Sequence, residues 1–412
     1  MSWKKSGRGS ESLLKNNLKM KEKKFETICV HNKKINYKLR DISVPIHLSS
    51  TFYFESAEEG GKLFEGEKEG FIYTRLSNPT IKILEETLKE LENGERALAF
   101  SSGMGAISAL IFSLLNQGDK VIYSDPVYGG TFALFKRLEK KGLFTFKGIY
   151  AKRFTEKLKK EIDKKTKLIY IETPTNPTLD IIDIEETAKI AKEKGIILAV
   201  DNTFATPYHQ RPLELGADVV IHSLTKYLGG HTDLIGGALI GKKEIIDEID
   251  KEEKAHIGAC ISPFNAWLTL RGIKTLAVRM KVHSENAMNL AKFLSEHPKV
   301  EKVFYPGLSD FEMYKIAKKQ MKNGFSGMLS FIHKNGKEGA MKFINSLNLC
   351  VKAVSLGAVE TLVEHPASMT HSTMNEEELL KAGIHPGLVR ISVGIENIED
   401  IIMDIENALR KS

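Results

Sequence analysis

Residues 218–231 read "DVVIHSLTKYLGGH". The first half, "DVVIHS", is a short apolar run rich in β-branched residues, the pattern of a strand buried on both faces. The second half brings Lys226 to the carboxyl end of that strand. Ser223 and Thr225 precede it, and Gly229 and Gly230 follow. A lysine in such a place is ordinarily a solvated side chain. Here hydroxyl donors and bare backbone surround it, which is a setting able to hold an anion.

Working outward, the same strand pattern recurs. "RALAFSS", "KVIYSD", "KLIYIETP", "IILAVDN" and "GGALIG" are near-continuous apolar runs. Helical patterns such as "MGAISALIFSLL" and "IEETAKIAKEKG", the latter ended by Gly195, separate them. This alternation predicts an α/β fold with a mostly parallel central sheet covered by helices on both faces. Ligands of such sheets bind beyond the carboxyl ends of the strands. Those ends carry Ser101-Ser102-Gly103, Asp125, Asn176, Asp201 and Ser223 to Lys226.

The flanks differ. Residues 1–24 form a basic tail that reads as disordered. Residues 25–77 show aromatic and turn residues with little periodicity, the mark of an N-terminal arm that needs another surface to pack on. The large domain is expected over 78–272, and a smaller C-terminal α/β domain over 273–412, with strands in "GMLSFIH" and "LVRISVG".

Of a net charge of +7, the tail supplies +6, from seven Lys and one Arg against two Glu. The body is therefore nearly neutral, which argues against a nucleic-acid partner. The stretch 97–115 is uncharged and long enough to test as a membrane span. Its Ser-Ser-Gly interruption reads instead as strand, turn and buried helix, and no membrane segment is assigned. No secretory signal is evident, and a cytoplasmic location is expected. Cys29, Cys260 and Cys350 lie far apart and form no metal motif, so each is read as a structural residue in a reduced compartment. His365 and His371 lack a third ligand at metal-binding spacing, and no metal is expected.

The chemistry gathers around Lys226. A lysine amine able to condense with an aldehyde beside a phosphate anchor points to pyridoxal phosphate. That cofactor also needs an anion to keep its ring nitrogen protonated. Asp201 closes the apolar strand "IILAVD", where an acid would be costly to bury unless a cation meets it. "SSGMGAIS" provides a strand-to-helix turn whose free N–H groups and dipole favour an anion. Position 108 is Ser, so the turn is not a dinucleotide fingerprint.

Over residues 25–410 the chain resembles the Cys/Met-metabolism family of pyridoxal-phosphate enzymes. The motifs that carry the likeness are "YTRLSNPT", "SSGMGAI", "YGGTF", "ETPTNP", "VDNTFATPYHQRPLELGADVVIHSLTKYLGGH", "LRGIKTL", "AVSLGAVETLVEHPASMTHS" and "GLVRISVGIE". The resemblance implies a fold-type I architecture with Lys226 as the Schiff-base lysine and Asp201 as partner of the ring nitrogen. It assigns the phosphate to Gly103, Met104, Ser223 and Thr225, with Tyr73 and Arg75 reaching it from a neighbouring subunit. Tyr128 would stack on the ring and transfer protons, and Asn176 would meet the phenolic oxygen. Ser355 and Arg390 would hold the carboxylate of an amino-acid substrate. A homo-oligomer follows, with a dimer as the minimum and a tetramer expected.

Within the family, Val354 stands where cystathionine-processing members usually carry glutamate, which favours a methionine gamma-lyase type. Gly130 stands where many of those lyases have cysteine, which favours broader use of homocysteine or cystathionine. The resulting expectation is gamma-elimination from a sulfur amino acid to a thiol, 2-oxobutanoate and ammonia. The alternative is a gamma-replacing transferase, of cystathionine gamma-synthase or O-acetylhomoserine sulfhydrylase type. A catalytically silent scaffold is disfavoured by the intact lysine, aspartate, tyrosine and arginine set.

Overall fold

A computed structural model describes residues 23–31, 41–370, 376–381 and 383–412. The tail reading for residues 1–24 falls almost wholly outside them, as does His371. Seven strands form the first sheet: β1 (Arg96–Phe100), β2 (Lys120–Asp125), β3 (Thr145–Tyr150), β4 (Thr166–Glu172), β5 (Ile197–Asp201), β6 (Val219–Ser223) and β7 (Gly237–Gly241). Their order is β1-β7-β6-β5-β4-β2-β3. All neighbours are parallel except β7, which runs antiparallel to both β1 and β6. The mostly parallel α/β sheet read from the apolar runs is the one observed.

Alternation along each strand sends side chains to both faces, and both are dry. Leu98, Val121, Leu168, Ala199, Val219 and Ile221 pack into one apolar cluster, while Ile122, Ile169, Ile171, Leu198 and Val200 pack into another. Burying each such side chain contributes about 1.5–3 kcal/mol relative to exposure, which is why these strands carry no polar face. Covering helices are closed by local chemistry. Asp183 caps the helix Ile184–Lys194 by accepting from Glu186 N at 3.0 Å, and Gly195 ends it at φ 63°.

A second sheet lies C-terminal to the long helix Leu276–Glu296. It holds β8 (Val300–Phe304), β9 (Met328–His333), β10 (Val351–Lys352), β11 (Leu362–Glu364) and β12 (Leu388–Ser392), in the order β10-β11-β12-β9-β8. Its own core includes Leu329, Phe331, Val363, Val389, Ile391 and Ile405.

The arm is less extended than its sequence suggests. It contains the helices Phe25–Val30 and Ala57–Phe64, the second capped by Ser56. Phe25 and Ile28 pack on the chain's own core, and Cys29 is buried there. Residues 41–77 are another matter: Ile42, Leu48, Tyr53 and Phe64 are all exposed. Of the other cysteines, Cys350 is buried and Cys260 only partly so. Among the described residues, no helix is long and apolar enough to cross a membrane.

Candidate active site

The carboxyl ends of the parallel strands converge on one run of contacts. Lys226 sits in a helical turn just after β6, where Lys226 N donates to Ser223 O at 3.2 Å and Gly230 N to Lys226 O at 2.8 Å. Its Nζ donates to Ser355 Oγ at 2.6 Å. Burial, and then the Arg390 guanidinium, pull the amine down from the ordinary lysine range to about 8. Near neutrality this lysine both holds and releases a proton.

Ser355 reaches the amine from the second sheet's side at a φ of 87°, a left-handed conformation that a non-glycine residue adopts at a cost. That backbone turns its carbonyl to Arg390, whose Nη2 donates to Ser355 O at 2.7 Å. Arg390 Nη1 donates to Asn176 Oδ1 at 2.8 Å and pairs with Glu364 Oε1 at 3.1 Å. Arg390 Nε is buried without a partner. One N–H of the planar fork, the Nε–H, is therefore left without a partner.

Below them, Asp201 is buried at the end of β5. Both of its hydrogen-bond partners are neutral: Thr203 N donates to Oδ1 at 3.1 Å, and the Tyr170 hydroxyl to Oδ2 at 3.2 Å. Burial raises its carboxyl above the usual range. Glu172 ends β4 in register with Asp201. Its Oε1 accepts from Asn176 N at 3.0 Å and its Oε2 from Tyr128 N at 2.8 Å. It too is raised by burial, and by the Asp201 charge. Two buried acids thus stand side by side, one of them facing no donor stronger than a phenol.

The helix Gly103–Leu114 begins where β1 ends. Ser102 takes two of its first-turn donors, Gly105 N on Oγ at 3.0 Å and Ala106 N on its carbonyl at 3.1 Å. Gly103 and Met104 are the remaining first-turn donors. A Cβ on Gly103 would lie 3.2 Å from Ser223 Cβ, so glycine lets the turn settle against Ser223. Thr225 Oγ1 donates to Gly236 O at 3.3 Å and accepts from Gly236 N at 3.2 Å. Tyr128 stands at the N-cap position of the next helix, Gly129–Lys140, without a side-chain cap, and is half exposed. Gly130 admits that ring, since a Cβ there would lie 2.6 Å from Tyr128 Cε1.

Ten of the residues singled out in the sequence therefore adjoin one another: Gly103, Met104, Tyr128, Asn176, Asp201, Ser223, Thr225, Lys226, Ser355 and Arg390. Tyr73 and Arg75 do not join them. Arg75 Nη1 donates to Ala255 O and its guanidinium lies 5.7 Å from the Tyr73 ring, while Tyr73 bridges to Thr51. His365 is held by Ser368 Oγ and Pro386 O, both at 2.7 Å. Glu172 and Glu364 were not anticipated. The acid closing "KLIYIE" is the same signal as the one closing "IILAVD", so Glu172 could have been found.

These residues fit pyridoxal phosphate. An acid whose hydrogen bonds come only from an amide and a phenol suits a protonated ring nitrogen, helix donors beside a serine suit a phosphate, and a buried, easily deprotonated lysine suits an aldehyde.

Comparison with known proteins gives the same cofactor. Residues 26–410 match the family model described as Cys/Met metabolism PLP-dependent enzyme. The L-methionine gamma-lyase of Fusobacterium nucleatum subsp. nucleatum is 46% identical over 400 residues, covering 96% of this chain and all of the relative. The cystathionine gamma-lyase of Bacillus subtilis is 46% identical over 371 residues, covering 89% and 94%. The crystal structure of metY from Campylobacter jejuni aligns with a TM-score of 0.88 at 35% identity, covering 94% of this chain and 99% of that one. It carries N'-pyridoxyl-lysine-5'-monophosphate.

Proposed function

The chain belongs to the Cys/Met metabolism PLP-dependent enzymes, and on that premise we propose that it is a carbon–sulfur lyase. It removes the gamma substituent of a sulfur amino acid, methionine first among them, to give a thiol, 2-oxobutanoate and ammonia. The observation that carries this reading is the link from the Lys226 amine through Ser355 to the open fork of Arg390. A proton carrier and a carboxylate seat thereby lie within one amino acid's reach.

Pyridoxal phosphate, when bound, supplies an electron sink that stabilises negative charge at the substrate's alpha carbon. Asp201 would meet its ring nitrogen, and Gly103, Met104, Ser223 and Thr225 would hold its phosphate. Asn176 keeps a side-chain donor that would meet the phenolic oxygen, and the Tyr128 ring would stack on the cofactor ring. Arg390 takes the substrate carboxylate on its Nε edge. Lys226, with an amine at about 8, would take the proton from the alpha carbon, pass it on toward the cofactor, and then take one from the beta carbon, so that the electron pair left there expels the gamma sulfur. The Tyr128 hydroxyl then protonates the departing sulfur, since a thiolate leaves poorly without an acid.

The apolar Val354 next to Ser355 favours a thioether substrate over one bearing a distal amine. The relatives' names, L-methionine gamma-lyase and cystathionine gamma-lyase, agree with elimination. The test is release of 2-oxobutanoate from methionine, cystathionine and O-acetylhomoserine, with and without an added thiol. Keto acid from methionine alone is expected. Turnover only when a thiol acceptor is present would assign the chain to gamma-replacement instead.

The working unit is proposed to be a dimer at least, paired further into a tetramer. The exposed Leu48, Tyr53 and Phe64 of the arm support a partner surface, and Tyr73 and Arg75 would serve the neighbour's phosphate. Three unpaired cysteines support a reducing, cytoplasmic setting.

A further inference from the structure

We propose that Glu364 is the positioning residue of the substrate-carboxylate anchor: it pins Arg390 through Nη1 and so reserves the Nε edge for the ligand. The inference rests on the reading of Arg390 as that anchor. Glu364 ends β11 and is register-paired with Arg390 on β12, so the two side chains meet across the ladder. Both are buried. An acid in that position has no solvent to hold it and is tied to the cation it faces.

A guanidinium offers five N–H donors in a fixed plane. Nη1 donates to Asn176 Oδ1 and forms an ion pair with Glu364 Oε1 at 3.1 Å, and Nη2 donates to Ser355 O. The Nε–H has no partner, and the Nε–Nη2 edge of a guanidinium matches the two oxygens of a carboxylate. Glu364 Oε1 ion-pairs with Nη1, away from Nε, and its Oε2 has no hydrogen-bond partner. Without Glu364, only neutral acceptors on two different segments hold the plane, and the fork can swing. The role is one of placement: glutamine can accept from Nη1 as glutamate does, whereas aspartate keeps the charge but withdraws its oxygens by one methylene.

The test uses the holoenzyme with methionine lacking its amino group, a carboxylate that cannot condense with the cofactor. Its Kd is measured by calorimetry beside KM and kcat for methionine. Glu364→Ala and Glu364→Asp are expected to raise Kd and KM about tenfold with kcat within about threefold, and Glu364→Gln to stay within about threefold of wild type. Arg390→Lys serves as the reference and should weaken both constants by more. If Arg390→Lys weakens binding while Glu364→Ala and Glu364→Asp leave Kd unchanged, the role of Glu364 is refuted and that of Arg390 stands. Unchanged Kd in Arg390→Lys overturns the anchor itself. Should the alanine variant not fold, the contrast between aspartate and glutamine decides. Equal binding by those two refutes placement.

Discussion

Withdrawing an amine from water makes its proton easier to lose, and Lys226 is the residue where this matters most. Its folded value of about 8 lies below that of an exposed lysine because of burial and of Arg390. Cofactor-free protein should therefore react with an amine-modifying aldehyde and reductant at Lys226 with a midpoint near pH 8, as peptide mass spectrometry would record. A midpoint near that of the surface lysines would remove the proton-carrier role. The linkage has a definite sign. From about pH 8 upward the unfolded chain binds this proton more than the folded one, so the contribution of Lys226 to cofactor-free stability rises with pH. Gly130 gives a second residue-scale prediction. Alanine there would push its Cβ into the Tyr128 ring, so Gly130→Ala should lower kcat for elimination by about tenfold while leaving cofactor affinity within about twofold. Wild-type turnover would show that this placement of the ring is not the reactive one. Lys226 and Asp201 were legible because a charged residue closing an apolar strand stands out in any sequence. Glu364 was not, since its meaning depends on Arg390, 26 positions away and visible only once β11 and β12 pair.

At the scale of elements, five strands of the first sheet besides β6 were expected, and all five are present. The remaining strand, β3, is "TFKGIY", with alternating exposure and no continuous apolar run, as suits the edge next to β2. Strand order was beyond the sequence: β7 inserts antiparallel between β1 and β6, and no local pattern encodes a crossover. The order matters because it sets β4 beside β5, hence Glu172 beside Asp201. Glu172 then ties two loops by their backbones, Tyr128 on one and Asn176 on the other. Glu172→Ala leaves both part-buried backbone donors without their acceptor, at a cost of up to about 1–3 kcal/mol for each. A fall in thermal midpoint together with a loss of kcat/KM is expected, and Glu172→Gln should recover at most the share owed to its one remaining acceptor. Full stability in the alanine variant would mean that water reaches these donors.

For the molecule as a whole, the arm is what a single chain leaves unfinished. Its first helix folds on its own core, yet residues beyond 41 present Tyr53 at 92% exposure and Ile42 at 89%. Such surface is what the proposed subunit contact would cover. The aromatic content of the arm was visible in the sequence, but its short helices were not, because each is set by one cap and a few contacts. Mixed oligomers of wild-type and Arg75→Ala chains should lose cofactor from the site neighbouring each altered arm, as absorbance of separated hybrids would report. Equal retention in every hybrid would confine Arg75 to its own Ala255 contact. The measurement that bears most directly on the whole account is borohydride reduction of the purified holoenzyme, followed by peptide mass spectrometry. The account predicts the mass of a pyridoxyl phosphate group on Lys226 and on no other residue, and its absence there, or its presence on a different lysine, would contradict it.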